Sequence, residues 1–405
     1  MKERYLSSLI EEFCFKDHKM AFVSGPRQCG KTTLAKTLLN RRSVGAYFNW
    51  DESEFRRIWT KNPSQIIPET DQIPMVVLDE IHKAKLWKRT LKGVYDTLAA
   101  PADIVVTGSA RLNVYNKGSD SLLGRYFHFR LHPFTLREMV KNDPVRPKGF
   151  IESIFSRLRP VSKNDQENLE ALFRFGGFPE PLFSRNERKA RLWRASRVEK
   201  VIREDLRDLS RIPELSQIEM LASLLPEKVG SLFSIVSVKE DLEVSFQTVK
   251  RWIDYLKELY YLFEVKPFHR SIVRSLKKEG KIYLWDYGEI QDPAARFENL
   301  TACHLLKTCH YWTDGGEGNF DLFYLRDKEK HEIDFLITKD GKPWLPIEVK
   351  LNDATPSPHW KKFLNQMPCR EAIQIVKTPR HWKIHSFGDR QILVASAGEL
   401  LGYFI

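Results

Sequence analysis

Residues 25–32 read Gly-Pro-Arg-Gln-Cys-Gly-Lys-Thr, and this stretch constrains the fold more than any other part of the chain. The pattern G-x-x-x-x-G-K-T is typical of a phosphate-binding loop when it lies between a buried strand and a helix. An apolar run, Met20 to Val23, precedes it, and a helical pattern from Thr32 to Leu39 follows. The sequence therefore predicts a strand–loop–helix unit whose backbone N–H groups and helix N-terminus bind an anion.

This loop predicts that the chain binds a nucleoside triphosphate, ATP in the first place, together with Mg²⁺. We expect the Lys31 ammonium to reach the β- and γ-phosphates and the Thr32 hydroxyl to ligate the metal. The alternative is a glycine turn that contains a lysine by chance. The segment contributes these expected nucleotide-binding residues: Gly25, Pro26, Arg27, Gln28, Cys29, Gly30, Lys31, Thr32 and Thr33.

A second apolar run, Pro74 to Glu80, ends in two carboxylates. Such a strand, following a phosphate loop at this distance, is typical of a Walker B motif. We expect Asp79 to hold Mg²⁺, through water or through Thr32. We expect Glu80 to orient and polarise the attacking water.

A third apolar run, Asp103 to Ser109, has a polar end. Its hydroxyl residues Thr107 and Ser109 are candidates for detecting the γ-phosphate by a hydrogen bond, or they are ordinary turn residues. Farther along the chain, Arg125 follows a glycine. This arginine either stabilises charge on the γ-phosphate, within its own chain or from a neighbouring subunit, or it is a surface residue in solvent.

Strands and helices alternate across residues 1–133, with Ala46 to Asp51 as a further strand and Trp87 to Ala99 as an amphipathic helix. This alternation predicts a mostly parallel sheet that is covered on both faces. Ligands of such sheets lie at the carboxyl ends of the strands. The candidate residues from Gly25 to Ser109 all fall at those ends, so we expect them to form one site.

These motifs resemble those of prokaryotic AAA-type ATPases that carry a C-terminal domain of uncharacterised function. The shared marks are the loop Gly-Pro-Arg-Gln-x-Gly-Lys-Thr-Thr, Leu78-Asp79-Glu80, Thr107-Gly108-Ser109, Gly124-Arg125, Leu131-His132-Pro133-Phe134 and Gly176-Gly177-Phe178-Pro179. The resemblance extends over nearly the whole chain, and it implies ATP binding and hydrolysis. Cys29 departs from the pattern, in which a small aliphatic residue is usual at this position.

A basic helical pattern extends from Arg185 to Arg211 within a mainly helical region. Its spacing puts Arg188, Arg191 and Arg194 on one face. These arginines either contact a phosphate backbone or belong to a solvated face that also carries acidic residues.

The next segment resembles a winged helix. Ser237 to Leu242, followed by Ser245 to Leu259, has the pattern of a helix-turn-helix, and Tyr261 to Val265 is the expected first wing strand. The residues expected to share the buried face of the second helix are Phe246, Val249, Ile253, Leu256 and Tyr260. The exposed face, with Gln247, Lys250, Arg251 and Lys257, either enters a DNA major groove or serves a structural or protein-contact role.

The C-terminal third resembles the core of PD-(D/E)XK nucleases. Asp334 lies in a strand pattern, Glu348-x-Lys350 lies in the next one, and Glu298 lies in an upstream helical pattern. Alternate residues of a strand face the same side, so Glu348 and Lys350 point together. We expect Glu298, Asp334 and Glu348 to hold Mg²⁺ or Mn²⁺, and Lys350 to stabilise or orient the attacking water. The alternative is an inactive descendant or an ordinary salt-bridged strand pair.

Composition adds two constraints. The net charge of +12 favours polyanionic partners, most often nucleic acid. No apolar run is long enough to span a bilayer, and the charged N-terminus lacks the apolar core of a signal peptide. The five cysteines are scattered and form neither a metal-ligand pattern nor a disulfide framework. We therefore expect a cytoplasmic protein with no membrane partner.

The sequence thus predicts an α/β protein with four segments. These are an AAA-type P-loop domain with a parallel sheet (1–133), a helical lid (134–211), a winged helix (212–266) and a restriction-endonuclease-like α/β domain (267–405). The leading hypothesis is an ATP-hydrolysing enzyme that acts on DNA or another nucleic acid, with the C-terminal segment as a metal-dependent DNase. One alternative is a nucleotide-dependent scaffold or switch for a protein complex, with a silent C-terminal domain. Another is a sequence-specific DNA binder timed by its ATPase. A homo-oligomer, either a ring or a dimer, fits an arginine supplied by a neighbour.

Overall fold

The computed structural model describes residues 2–108, 112, 122–140, 145–159, 164–206, 214–269 and 279–405. The chain divides into two compact units, Met1–Pro133 and Phe134–Ile405. Each unit has its own β-sheet and its own hydrophobic core. None of the helices in the described ranges combines the length and the apolar character that a membrane span requires.

The N-terminal unit is built on a five-stranded sheet in the order β2-β3-β4-β1-β5. All four strand pairs are parallel. The strands are β1 (Met20–Ser24), β2 (Gly45–Asn49), β3 (Met75–Asp79), β4 (Asp103–Gly108) and β5 (Tyr126–Arg130). Strands β1, β3 and β4 are buried throughout, as their continuous apolar runs predict for the centre of a parallel sheet. The prediction of a mixed α/β class with a parallel sheet is confirmed.

Helices cover this sheet and supply its core. They are α1 (Ser7–Ile10), α2 (Lys31–Leu39), α3 (Ser53–Lys61) and α4 (Trp87–Asp96), with a π-helical turn Glu11–Phe15 and short 3₁₀ turns Pro63–Ile66 and Ile81–Lys83. Helix α4 buries Trp87, Leu91 and Val94, whose spacing places them on one face. These side chains pack with Phe22 of β1 and with Trp59 of α3 in a single cluster.

Strand β4 lies between β1 and β3, and this order determines which strand ends are neighbours. Asp79 at the end of β3 is in register with Thr107 near the end of β4. Ser24 at the end of β1 is in register with Gly108. Because the strands are parallel, the loop after β1 and the acidic end of β3 lie on the same side of the sheet, at the C-terminal ends of the strands.

The C-terminal unit begins with helices. They are α5 (Leu136–Val140), α6 (Phe150–Phe155), α7 (Asp165–Phe175), α8 (Pro179–Ser184), α9 (Glu187–Glu199), α10 (Leu215–Lys228), α11 (Ile235–Asp241) and α12 (Phe246–Glu258), with a π-helical segment Lys200–Asp205 after α9. Serine N-caps start α11 and α12: the Ser234 and Ser245 side chains accept hydrogen bonds from the backbone three residues on.

The buried face of α12 differs in part from the expected one. Val249, Ile253 and Leu256 are buried as predicted. Phe246 is 42% exposed, which corrects its assignment to the core, and Trp252 is fully buried. Phe246 is the first residue of the helix, where the chain has only just turned toward the core.

An eight-stranded sheet follows, in the order β12-β13-β11-β10-β9-β8-β6-β7. Its strands are β6 (Leu262–Pro267), β7 (Lys281–Leu284), β8 (Phe320–Arg326), β9 (Glu332–Lys339), β10 (Lys342–Lys350), β11 (Glu371–Val376), β12 (Trp382–Phe387) and β13 (Arg390–Ser396). Strand β6 pairs antiparallel with β7 and parallel with β8. It therefore spans the predicted boundary between residues 266 and 267, and the segments on either side share one sheet.

The remaining helices are α13 (Pro293–Asp314), α14 (Trp360–Asn365) and α15 (Ala397–Leu400), with a 3₁₀ turn Tyr287–Glu289 before α13. Strands β8, β9 and β10 form an antiparallel meander, and β11 is parallel to β10. The order from α13 to β11 is thus helix, three strands, helix, strand. Asp292 and Pro293 start α13 with an N-cap hydrogen bond and a proline in the first turn.

Candidate nucleotide and metal sites

The phosphate loop connects β1 to α2 and depends on two glycines with positive φ angles. Gly25 has φ 155° and Gly30 has φ 100°. A Cβ atom at Gly25 would lie 2.2 Å from the Leu131 carbonyl oxygen. A side chain at position 25 is therefore excluded by contact as well as by backbone conformation. Gly30 is the N-cap of α2, so the helix N-terminus faces the loop.

Lys31 is buried and folds back over this loop. Its Nζ donates to the carbonyl oxygens of Gly25 at 2.9 Å and Pro26 at 2.8 Å. The ammonium thus lies above the loop, and phosphate oxygens would be stronger acceptors than these carbonyls. We expect Lys31 to exchange one or both carbonyl contacts for a phosphate when a nucleotide binds.

Asp79 is the centre of the polar site beside the loop. Its Oδ2 accepts hydrogen bonds from Thr32 Oγ1 and from Tyr47 OH, each at 2.7 Å. Its Oδ1 accepts a short hydrogen bond from Thr107 Oγ1. One carboxylate that is 2% exposed therefore contacts hydroxyls from α2, β2 and β4. Carboxylate and hydroxyl oxygens are the donors that Mg²⁺ prefers, so Asp79 and Thr32 fit this metal.

Tyr47 was not predicted as a site residue. It lies on β2 two residues before Asn49, which is in register with Asp79. Burial, together with the hydrogen bond to Asp79, raises the pKa of Tyr47 well above its usual value, so the phenol stays a neutral donor. The only signal in the sequence was its position near the end of a strand, which could not distinguish it from other strand residues.

Glu80 directly follows Asp79 in a left-handed conformation with φ 58°. Its backbone N–H donates to the Thr107 carbonyl at 3.0 Å, which fixes the turn. Its Oε2 lies 3.6 Å from His82 Nε2 and 3.9 Å from Lys83 Nζ, and its side chain is 25% exposed. The Glu80 carboxylate thus lies beside His82 and Lys83, directly after Asp79 in the chain, and is accessible to water.

Two residues near the N-terminus, Arg4 and Tyr5, form hydrogen bonds that support the phosphate loop. Neither was predicted from the sequence as a site residue. The Arg4 guanidinium donates to the carbonyl oxygens of Cys29 and His132, each at 2.5 Å. The Tyr5 hydroxyl donates to the Arg130 carbonyl at 2.6 Å and accepts from the His132 N–H at 3.0 Å. The segment before β1 thereby joins the phosphate loop to the end of β5.

Arg125 lies away from this group. Its carbonyl accepts from the N–H of Met20, the first residue of β1, whereas the phosphate loop follows the last residue of that strand. Its guanidinium forms two hydrogen bonds to Asp96, at 2.6 and 2.9 Å. The structure contradicts the expected contact of Arg125 with a phosphate of its own chain. Arg125 lies near the N-terminal ends of β1 and β5, whereas the phosphate loop lies at the C-terminal end of β1. Ser109, the other sensor candidate, is outside the described residues.

The C-terminal candidates come together around β9 and β10. Glu348 Oε1 lies 2.6 Å from Lys350 Nζ, and Glu348 Oε2 accepts from the Asp334 N–H at 3.4 Å. Asp334 Oδ2 accepts from the Val349 N–H at 2.8 Å. Glu298 of α13 joins the group through Lys281, whose Nζ is 3.2 Å from Glu298 and 3.7 Å from Asp334.

Burial and mutual repulsion shape the charges of this acidic cluster. Burial, with the neighbouring Asp334 charge, raises the pKa of Glu348 to about 8 and that of Glu298 to about 7. At neutral pH these two carboxyls therefore hold protons for a substantial part of the time. A divalent cation would favour their ionised forms. Carboxylate oxygens suit Mg²⁺ or Mn²⁺, but among the described residues the oxygens of these three carboxylates do not all come within 4.8 Å of one another. A metal that used all three would have to draw the side chains together.

Lys281, Tyr283 and Glu332 complete the cluster and were not predicted. Lys281 Nζ lies 2.5 Å from Glu332 Oε1, and Tyr283 OH donates to Glu298 Oε1 at 2.7 Å. Lys281 and Tyr283 share a face of β7 because they are two residues apart. A lysine that opens an apolar strand was the available signal.

The arginines of α9 divide between surface and interior. Arg188 and Arg191 are exposed. Arg194 instead turns inward, and its Nε donates to Asp286 Oδ2 at 3.1 Å. On α12, Lys250 and Arg251 are exposed, whereas Lys257 pairs with Asp254 and Glu264. The exposed basic faces of α9 and α12 therefore contain fewer cationic side chains than the sequence predicted, because Arg194 and Lys257 form ion pairs within the protein.

Comparison with known families assigns the N-terminal unit. Residues 17–140 match the family model described as an AAA domain. Residues 166–291 match a domain of unknown function, DUF8612, and residues 294–394 match another, DUF4143. Together with the phosphate loop, these findings identify the N-terminal part as an AAA-type P-loop ATPase domain.

Relatives along most of the chain are themselves uncharacterized. A protein of Mycobacterium tuberculosis is 23% identical over 350 residues, which span 84% of this chain and 71% of the relative. A protein of Haemophilus influenzae is 21% identical over 366 residues, 84% of each chain. Among solved structures, a RuvB variant of Thermotoga maritima is similar with a TM-score of 0.31 and 15% identity, over 64% of this chain and 87% of that one.

Proposed function

We propose that this protein binds ATP with Mg²⁺ at the phosphate loop and hydrolyses it. The observation that carries the proposal is the 2.7 Å contact between the Thr32 hydroxyl and Asp79 directly beside that loop. Two oxygen donors from different elements are thereby held together where the β- and γ-phosphates would lie. The Glu80 side chain is partly exposed, so water can reach its carboxylate.

Different residues of the site would bind the phosphates, hold the metal and orient the attacking water. The loop N–H groups and the Lys31 ammonium bind and orient the phosphates, while Thr32 and Asp79 would hold the metal. Bound Mg²⁺ would neutralise charge on the phosphate oxygens. Glu80 would accept a hydrogen bond from the attacking water. Thr107 donates its hydroxyl to Asp79 and so holds that carboxylate in position.

Replacing Asp79 with asparagine tests the metal-binding part of this proposal. We expect ATP turnover to fall by about 100-fold or more, because a neutral amide holds Mg²⁺ poorly. The Mg²⁺ concentration for half-maximal turnover should rise. Turnover is measured as phosphate release over a Mg²⁺ titration.

Tyr47→Phe is the matched control, since it removes one of three hydroxyls on Asp79 and leaves the carboxylate. We expect turnover within about fivefold of the parent for this variant, the effect of one hydrogen bond. If Asp79→Asn turns over ATP like the parent at every Mg²⁺ concentration, Asp79 does not hold the metal.

A second candidate activity is metal-dependent cleavage of DNA by the C-terminal unit. It is supported by the order helix, three strands, helix, strand from α13 to β11, and by the approach of Glu298, Asp334, Glu348 and Lys350 described above. Asp334 and Glu348 would hold the cation, and Lys350 would orient the water that attacks a phosphodiester. The net charge of +12 favours a polyanionic substrate.

Lys350→Met and Glu348→Gln test this second activity. We expect each to reduce cleavage of DNA to about 1% or less of the parent rate with Mg²⁺ or Mn²⁺, while ATP turnover is unchanged. Lys342→Met, on the same strand, is the control and should cleave like the parent. Cleavage is followed on labelled duplex and single-stranded DNA.

Full activity in both variants would rule out the assigned cleavage site. If the parent itself cleaves no nucleic acid with either metal, the nucleotide-dependent scaffold becomes the favoured role for the C-terminal unit. Binding to DNA, measured against salt, then separates a DNA binder from a scaffold, because contacts to phosphates weaken steeply with salt. Helices α10 to α12 followed by the antiparallel pair β6–β7 would carry that binding.

A further inference from the structure

We infer that Lys281 is a built-in cation of the C-terminal acidic cluster, and that a divalent metal must displace its ammonium from Glu298 and Asp334 to bind there. This inference rests on the metal-binding role proposed for the cluster. It adds a residue outside the recognised pattern, on β7, that sets how tightly the metal binds.

The ammonium of Lys281 lies among three carboxylates. Its Nζ is 2.5 Å from Glu332 Oε1, 3.2 Å from Glu298 Oε1 and 3.7 Å from Asp334 Oδ1. The side chain is 3% exposed, so solvent does not share these contacts. Lys281 thus occupies the side of the cluster that faces α13 and β9.

Two of these carboxylates are the expected metal ligands. Mg²⁺ lies about 2.0–2.1 Å from its oxygen ligands, so a metal on Glu298 and Asp334 would lie within a few ångströms of the present ammonium. Two cations so close in a poorly solvated site repel strongly. The same carboxylate oxygens therefore serve either the ammonium or the metal.

The backbone of Lys281 is held in place, so only its side chain can move. The residue pairs with Val265 of β6, and Phe233 donates to the Gly280 carbonyl at 2.9 Å. Glu332 can remain the partner of the ammonium, because it is already the nearest carboxylate. When a metal takes Glu298 and Asp334, Glu332 is the carboxylate that still holds the ammonium.

The charge balance of the cluster agrees with this competition. Four carboxylates, from Glu298, Glu332, Asp334 and Glu348, contact three cationic side chains. The cations are those of Lys281, Lys350 and Arg326. With all four carboxyls ionised, the state that a bound divalent cation would favour, one negative charge is left over. Without Lys281 two would be left, which matches one divalent cation.

Mn²⁺ binding by the full-length protein tests the inference without reference to activity. We expect Lys281→Met to bind Mn²⁺ about tenfold or more tightly than the parent, because a competing positive charge is removed. Lys281→Arg keeps the charge and should bind like the parent or more weakly. Free Mn²⁺ is measured by electron paramagnetic resonance at one fixed pH, and thermal unfolding checks that each variant is folded.

Glu332→Gln is a second test that leaves Lys281 intact. It should weaken Mn²⁺ binding, because the ammonium then has only the metal ligands as partners. Equal Mn²⁺ affinity of the parent, Lys281→Met and Glu332→Gln would overturn the inference and leave the metal site standing. Absence of Mn²⁺ binding in the parent and in every variant would overturn both the inference and the proposed metal site. Binding by Lys281→Met alone would support both.

Discussion

Replacing Glu80 with glutamine is expected to reduce ATP turnover by about 10²–10³-fold while ATP affinity stays within about threefold of the parent. The amide has the size of the carboxylate but is a much weaker hydrogen-bond acceptor for the attacking water. Asp79 and Thr32, which would hold the metal, are unchanged. Turnover is measured as phosphate release and affinity by titration calorimetry.

Lys31→Ala separates binding from catalysis in the same assays. We expect this variant to lose most of its ATP affinity, because the ammonium over the loop carbonyls is removed. Glu69→Gln is the matched control for Glu80→Gln, because it also replaces one carboxylate, at an exposed position of the same unit. Parent-like turnover in Glu80→Gln would assign the water-orienting role to another residue. Parent-like affinity in Lys31→Ala would argue against the loop as the nucleotide site.

Lys307→Met is expected to lower the free energy of unfolding by about 3–5 kcal/mol, because it leaves the Glu138 carboxylate buried without its counter-ion. Both side chains of this pair are fully buried, and Lys307 Nζ also donates to Thr135 Oγ1 at 3.0 Å. The pair joins α5 to α13 within the C-terminal unit. Unfolding in urea, followed by circular dichroism, gives the free energy.

The double variant Glu138→Met/Lys307→Met provides the contrast. Replacing both partners with apolar side chains of similar volume should restore much of the lost stability, because no uncompensated charge stays buried. Arg203→Met breaks a pair with Glu219 in which the arginine is well exposed, and it should change stability little. A double variant as unstable as Lys307→Met would mean that packing, rather than the buried charge, causes the loss.

The sequence alone could predict the elements whose signals are local. The phosphate loop, the acidic end of β3 and the polar end of β4 each combine an apolar run with the residue types of a known site. Parallel pairing then brings such ends to one edge of a sheet. The approach of Thr32 to Asp79 follows from that rule.

Arg4, Tyr47 and Lys281 could not be found in this way. Arg4 reaches the loop from a segment before the first strand, and Tyr47 reaches Asp79 across a strand pair. Lys281 belongs to β7, whose place beside β6 at the margin of the eight-stranded sheet is not encoded locally. The expected contact of Arg125 with a phosphate of its own chain failed for the same reason, since a Gly-Arg pair does not reveal at which end of β5 it lies.

The three hydroxyls on Asp79 have a consequence for how the loaded state could be detected. Three of the roughly four lone-pair sites of this carboxylate already accept hydroxyls, so a metal on Asp79 would change the surroundings of the bond from Tyr47. Tyr47 lies on β2, the outermost strand on its side of the sheet. The chain has 13 tyrosines and 10 tryptophans, so the difference between the ultraviolet spectra of the parent and Tyr47→Phe isolates this phenol. That difference should change on loading and report occupancy at the sheet margin without any attached dye.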